Sequence, residues 1–177
     1  RLKQAWEEGA LATVCGHGAA RARALSRESV PHCCSQAQQA LAEWMRAQLP
    51  SGYAVEYEDY LGSRYAYDLT VRDDSAVIVA VIEVDGPHHF APMTYGYGSK
   101  DDGGQSAHER TVRNDVIKEE HVITTLSVPL LRVTDHSSWD DAARSWALDR
   151  VLARPAAGVS LYVGDPEYRM FTGYAAA

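Results

Sequence analysis

Residues 76–84 constrain this chain more than any other stretch. Val77, Ile78, Val79, Ala80, Val81 and Ile82 form an unbroken apolar run, most of it β-branched, and Glu83-Val84-Asp85-Gly86-Pro87 follows directly. Such a run ending in a turn signal predicts a central strand buried on both faces. Glu83 then lies at the rim of the core, where a charge is costly unless it is paired or coordinated.

The flanking periodicities supply the layers around that strand. Ser35 has the position of an N-cap, and Ala37, Leu41, Trp44, Met45 and Leu49 follow at helical spacing until Pro50-Ser51-Gly52 ends the helix. Tyr53, Val55 and Tyr57 alternate as in a half-buried strand, and residues 65–71 form a second strand closed by the turn Arg72-Asp73-Asp74-Ser75. After the central strand comes a long loop over residues 91–107, rich in Gly, Tyr, Ser and Asp. A helix over 108–122 is expected to bury Val112, Val116 and Ile117. Residues 128–133 read as another buried strand. Ser137 or Ser138 is expected to cap a last helix with Trp139 and Trp146 in the core, and residues 159–163 form a closing strand. The order predicts a mixed α/β sandwich around a central sheet.

A chain of 177 residues suffices for one domain with a proper core. No apolar run approaches the roughly 20 residues that span a bilayer, so a soluble protein without a membrane partner is expected. Opening on Arg1, the sequence reads as a fragment or processed product. Three cysteines are too few for a disulfide scaffold and point to a reducing, intracellular setting, with the compartment open. The net charge of -7 argues mildly against a nucleic-acid partner, since phosphates reward basic surfaces. Carboxylates that hold a metal are one way for an acidic chain to act on phosphates.

Asp68 and Glu83 supply such a pair, because adjacent antiparallel strands would bring both to one sheet edge. Mg²⁺ takes oxygen ligands and usually only one or two protein carboxylates. The plainer alternative is that Glu83 lies just outside the core and bonds Arg132 or Lys118.

Four motifs in order carry a resemblance: Asp68; Glu83-Val84-Asp85-Gly86-Pro87-His88-His89-Phe90; Arg113-Asn114-Asp115-Val116-Ile117-Lys118; and Pro129-Leu130-Leu131-Arg132-Val133. Together they resemble the PD-(D/E)XK nuclease superfamily, most of all its very-short-patch-repair-like branch and the related phage and giant-virus endonucleases, over about residues 35–135. The resemblance implies a restriction-endonuclease-like α-β-α sandwich with a mixed four- to five-stranded sheet over residues 35–177, behind a helical or loop extension over 1–34. It implies a Mg²⁺-dependent endonuclease, with Mn²⁺ able to substitute, acting on DNA before RNA. Asp68 and Glu83 would be metal ligands. Asp85 stands where the superfamily has Lys, and Lys118 would supply that positive charge from the helix face it shares with Asp115. His89 would act at the scissile phosphate as general acid or base or as electrostatic stabiliser. The alternatives are a turn histidine stacked on Phe90 and a solvated Asp115–Lys118 pair.

One position departs from the pattern. Where related proteins carry Ser-x-x-Glu at the start of the first helix, this chain has Ser35-Gln36-Ala37-Gln38. Gln38 can bond a water or a metal ligand but brings no charge. The turn is also similar to the core of RAP domains, which implies an RNA-binding module of an organellar RNA-processing or ribosomal assembly without cleavage. Weaker signals are Cys15, His17, His32, Cys33 and Cys34 as a zinc site of irregular spacing, Arg21 to Arg27 as a phosphate contact, and Tyr95 and Tyr97 as stacking residues. For these the plainer readings are a buried thiol with loop histidines, a solvated helix face and loop packing. Oligomeric state is not legible in the sequence.

Overall fold

In the computed structural model, which describes residues 34–93, 104–153 and 160–162, the apolar run is the middle strand of a five-stranded sheet. Helix α1 (Gln36–Gln48) leads into strands β1 (Ala54–Asp59), β2 (Tyr67–Arg72) and β3 (Ile78–Asp85). A 3₁₀ turn (Pro87–His89) follows, then helix α2 (Gln105–Glu120), a wider π-helical turn (His121–Leu126) and strand β4 (Leu130–Thr134). A second 3₁₀ turn (Ser137–Trp139), helix α3 (Asp141–Ala153) and strand β5 (Ser160–Tyr162) end the described chain. Strand order is β1-β2-β3-β4-β5, antiparallel across β1, β2 and β3 and parallel across β3, β4 and β5. The chain is therefore α/β with a mixed sheet.

Alternation along the strands divides the interior in two. Ala80, Ile82 and Val84 of β3 and Leu131 and Val133 of β4 pack with Leu41 and Met45 of α1 and Ala147 and Val151 of α3. This is the larger core. Leu41 and Met45 are fully buried in it, so cutting either to Ala would cost about 2–5 kcal/mol. On the opposite face Val81 and Leu130 meet Tyr67 and Val122 in a smaller cluster. Glu83 and Asp85 alternate onto that side, toward α2.

Strands β2 and β3 part company at the site-bearing end. Their ladder stops at Leu69 opposite Ile82, while β2 remains paired with β1 as far as Tyr67 opposite Asp59. Across the gap, side chains replace the ladder. The Asp68 N–H donates to Glu83 Oε1 (3.4 Å), and the Val84 N–H donates to Asp68 Oδ2 (2.8 Å).

Several sequence expectations are corrected. The last helix is capped by Asp140, whose Oδ1 accepts from the Ala143 N–H at 2.8 Å. Ser137 and Ser138 instead bond Thr134 and the Asp135 carbonyl in the preceding turn. Trp139 is 54% exposed and outside the core, whereas Trp146 packs against it. Val116 and Ile117 are exposed because α2 turns a polar stripe inward, with Asp115 buried. That helix begins at Gln105 on Gly104, whose φ of +87° and contact with the Met93 backbone leave no room for a side chain. The extension over 1–33, Arg21 to Arg27, Cys15, His17, His32 and Cys33, and Tyr95 and Tyr97 lie outside the described residues. Cys34 is buried in the larger core. Among the described residues no helix is long and apolar enough to cross a membrane.

Candidate functional site

The six residues singled out by sequence converge at one end of the sheet, in two groups that share the α2 side. The first group is Asp68 from β2, Glu83 from β3 and Lys118 from α2. Glu83 is 1% exposed. Its Oε2 accepts from Lys118 Nζ and its Oε1 from the Asp68 N–H. Asp68 stays partly exposed, and among the described residues its Oδ1 takes no hydrogen bond. Lys118 Nζ also lies 5.4 Å from the centroid of the Tyr67 ring. Tyr67 is fixed in turn by its hydroxyl, 2.7 Å from His121 Nδ1 in the π-helical turn.

Burial raises the Glu83 carboxyl against the opposing charge of Lys118, with Asp68 adding to the rise, and leaves its pKa at about 7. Asp68 is also raised by burial, despite Lys118 and the Val84 N–H. For Lys118, burial works downward, but Glu83 and Asp68 outweigh it and hold the ammonium charged. The physical content is simple. Two carboxylates share one cation, so the group is net negative only when both acids are ionised, and the raised Glu83 favours uptake of a proton.

The second group is Asp85, His89, Asp115 and Arg132. Arg132 is fully buried and grips Asp85 through both of its oxygens, Nε to Oδ2 at 2.7 Å and Nη2 to Oδ1 at 2.6 Å. His89 Nδ1 lies 2.7 Å from Asp115 Oδ2 and 3.3 Å from Asp85 Oδ1, and Arg132 Nη2 lies 3.4 Å from Asp115 Oδ1. Burial lowers the His89 pKa, but the Asp115 hydrogen bond and the Asp85 and Asp115 charges outweigh it and leave it above the ordinary histidine value. Asp115 is pushed up by burial, yet His89 and Arg132 bring it below the usual carboxylate range. With His89 protonated, two acids face two cations. This group is balanced.

The ligand atoms of Asp85, His89 and Asp115 lie within 4.8 Å of one another, a spacing that also suits a metal ion. A metal there would have to displace the His89 proton, since a ligating imidazole is neutral, and would share Asp85 with Arg132. Asp68 and Glu83 are the second candidate pair for a divalent cation, although both Glu83 oxygens already accept from protein donors. They offer hard oxygen donors, an uncommitted Asp68 oxygen and, when both are ionised, a net negative charge.

The pairings sort the earlier alternatives. Glu83 is held by Lys118, and it is Asp85, not Glu83, that holds Arg132. Asp115 and Lys118 share the inward face of α2 but serve different groups. The His88 ring lies beside His89, centroids 4.2 Å apart and the planes tilted by 53°. Gln38 closes the capping box of α1, its Oε1 accepting from the Ser35 N–H while Ser35 Oγ accepts from the Gln38 N–H at 3.1 Å. Its carbonyl is thereby tied to the helix end.

Tyr67 and Arg132 are the members that sequence reasoning did not place. Arg132 carried a signal, an arginine inside a buried strand, which demands a buried acid. Tyr67 carried none beyond its neighbour Asp68. Comparison with family models, with curated proteins and with solved structures gives no match for this chain.

Proposed function

We propose that the chain is a metal-dependent endonuclease of the restriction-endonuclease-like kind that hydrolyses phosphodiester bonds in DNA. The observation that supports the reading best is the parting of β2 from β3 at Asp68 and Glu83, with Lys118 brought over the same point from α2. Asp68 and Glu83 would hold Mg²⁺ or Mn²⁺, which when bound supplies a more acidic water and charge for the phosphodiester. Lys118, kept protonated between Glu83 and the Tyr67 ring, orients a water beside the carboxylates. His89 has Nδ1 engaged by Asp115, which leaves Nε2 to face a phosphate oxygen or the departing alkoxide. Asp85, Asp115 and Arg132 do not touch substrate in this scheme. Asp85 and Asp115 hold His89 in place and favour its charged form, and Arg132 fixes the two acids.

The test is incubation of the purified chain with plasmid and with single-stranded DNA, in Mg²⁺ or Mn²⁺ against EDTA, beside Glu83→Gln and Asp68→Asn. Cleavage that needs the metal and is lost in both variants is the expected result. Equal cleavage by the variants, or none by any protein, would sink the proposal. A second reading, the RAP-like RNA-binding module, has one observation in its favour: both oxygens of Glu83 already accept from protein donors. It predicts RNA binding that survives EDTA and no cleavage at all.

A further inference from the structure

Beside the ionic groups, at the C-terminal edge of β3 and β4, is a cleft of about 420 Å³ lined by Asp85, Phe90, Thr134, Asp135, His136 and Trp139 among others. Asp85 and Thr134 are register partners in the parallel pair, and the Asp135 N–H continues the ladder to the Asp85 carbonyl at 2.9 Å. The floor is therefore settled backbone at the strand edge where open α/β sheets present ligands. Two features of the walls are unsettled. Trp44 and Trp146 pack against the larger core, but Trp139 stays 54% exposed. The carboxylate of Asp135 is exposed and, among the described residues, takes no hydrogen bond or ion pair. Arg144 lies over the indole, its guanidinium carbon 5.9 Å from the ring centroid and its Nε on the Ser138 carbonyl at 2.5 Å.

We infer that this cleft is a subsite for one unpaired guanine of the DNA strand, stacked on Trp139 and read by Asp135. An exposed indole offers a flat apolar face of the kind on which unpaired bases stack. A lone carboxylate selects a base with two adjacent N–H donors. Guanine presents N1–H and N2–H side by side. Thymine has one N–H between two carbonyls, while adenine and cytosine set their amino group next to a ring acceptor that the second oxygen would repel. The inference rests on the nuclease reading for its source of nucleotides, because Asp85 belongs to both the cleft and the ionic network.

The experiment measures binding of fluorescent thymine octanucleotides carrying one central guanine, inosine or thymine, by anisotropy in EDTA. The proteins are the full chain, Trp139→Ala, Trp139→Phe and Asp135→Asn. Guanine is expected to bind about tenfold tighter than inosine, which lacks the N2 amino group. Trp139→Ala should weaken all three strands roughly tenfold or more, and Trp139→Phe should restore most of that. Asp135→Asn should make guanine and inosine equal. Equal affinities for the three strands in the unaltered chain, or a guanine preference that survives Asp135→Asn, would overturn the subsite. A guanine preference in a protein that cuts nothing in Mg²⁺ keeps the subsite and removes the nuclease reading. Cleavage with no base preference does the reverse.

Discussion

The two ionic groups sit side by side on one face of the sheet and solve the problem of buried charge in opposite ways. Around Arg132, every charge has an opposite partner within a hydrogen bond or a short ion pair, and the set sums to zero when His89 is protonated. Around Lys118, two carboxylates compete for one ammonium, and burial answers by raising both acids. On the proposed reading the two groups do different work: Asp85, Asp115 and Arg132 hold the frame around His89, and Asp68 with Glu83 would take up a cation.

The comparison can be broken most forcefully through activity. Glu83→Gln and Asp68→Asn should each lower metal-dependent cleavage by about two to three orders of magnitude, while urea denaturation shows them as stable as the parent or more so. Stability gives the converse. Arg132→Met strands Asp85 and Asp115 in the interior and should cost about 3–5 kcal/mol in urea denaturation. Lys118→Met should cost less, about 1–2 kcal/mol at pH 6, because Glu83 with a pKa of about 7 can take up a proton in its place. Equal losses for the two variants would contradict the division.

The smallest effects lie in the pH dependence, and the two groups occupy different windows. Glu83 binds its proton more tightly folded than unfolded, so its contribution is present at low pH and is lost as pH climbs from its ordinary value of 4.5 to about 7. His89 is also raised by folding, so its contribution is full below 6.5 and is lost as pH climbs through its higher folded value. Melting temperatures recorded across this range should flatten in the acidic window for Glu83→Gln and above it for His89→Gln. Saturating Mg²⁺ should remove the first slope and leave the second.

The sequence displayed some of this arrangement and hid the rest for physical reasons. Strands and α1 were readable because their burial is apolar and periodic, as in Ala80, Ile82 and Val84 or Leu41 and Met45. Helix α2 misled, since its inward face is Asp115 and Lys118 and its apolar Val116 and Ile117 face water. A hydrophobic pattern cannot report a helix that packs by ion pairs. Asp68 and Glu83 were legible as strand-end acids, and Lys118 was one of two partners the sequence offered for Glu83, but the choice between it and Arg132 was not legible. Which acid Arg132 takes depends on the parallel register of β3 and β4, and no short-range pattern encodes that. Gln38 shows the same limit, because whether it reached the acids or its own helix end was a matter of three-dimensional aim.

The most direct test of the central claim is the shift in melting temperature on titration with Mn²⁺, for the parent chain, Asp68→Asn and Asp115→Asn. The account predicts that the parent is stabilised, by about 2.7 kcal/mol at a hundred times the dissociation constant. It predicts that Asp115→Asn keeps this response and that Asp68→Asn loses it. Loss in Asp115→Asn with retention in Asp68→Asn would move the cation to the Asp85, His89 and Asp115 cluster and contradict the account.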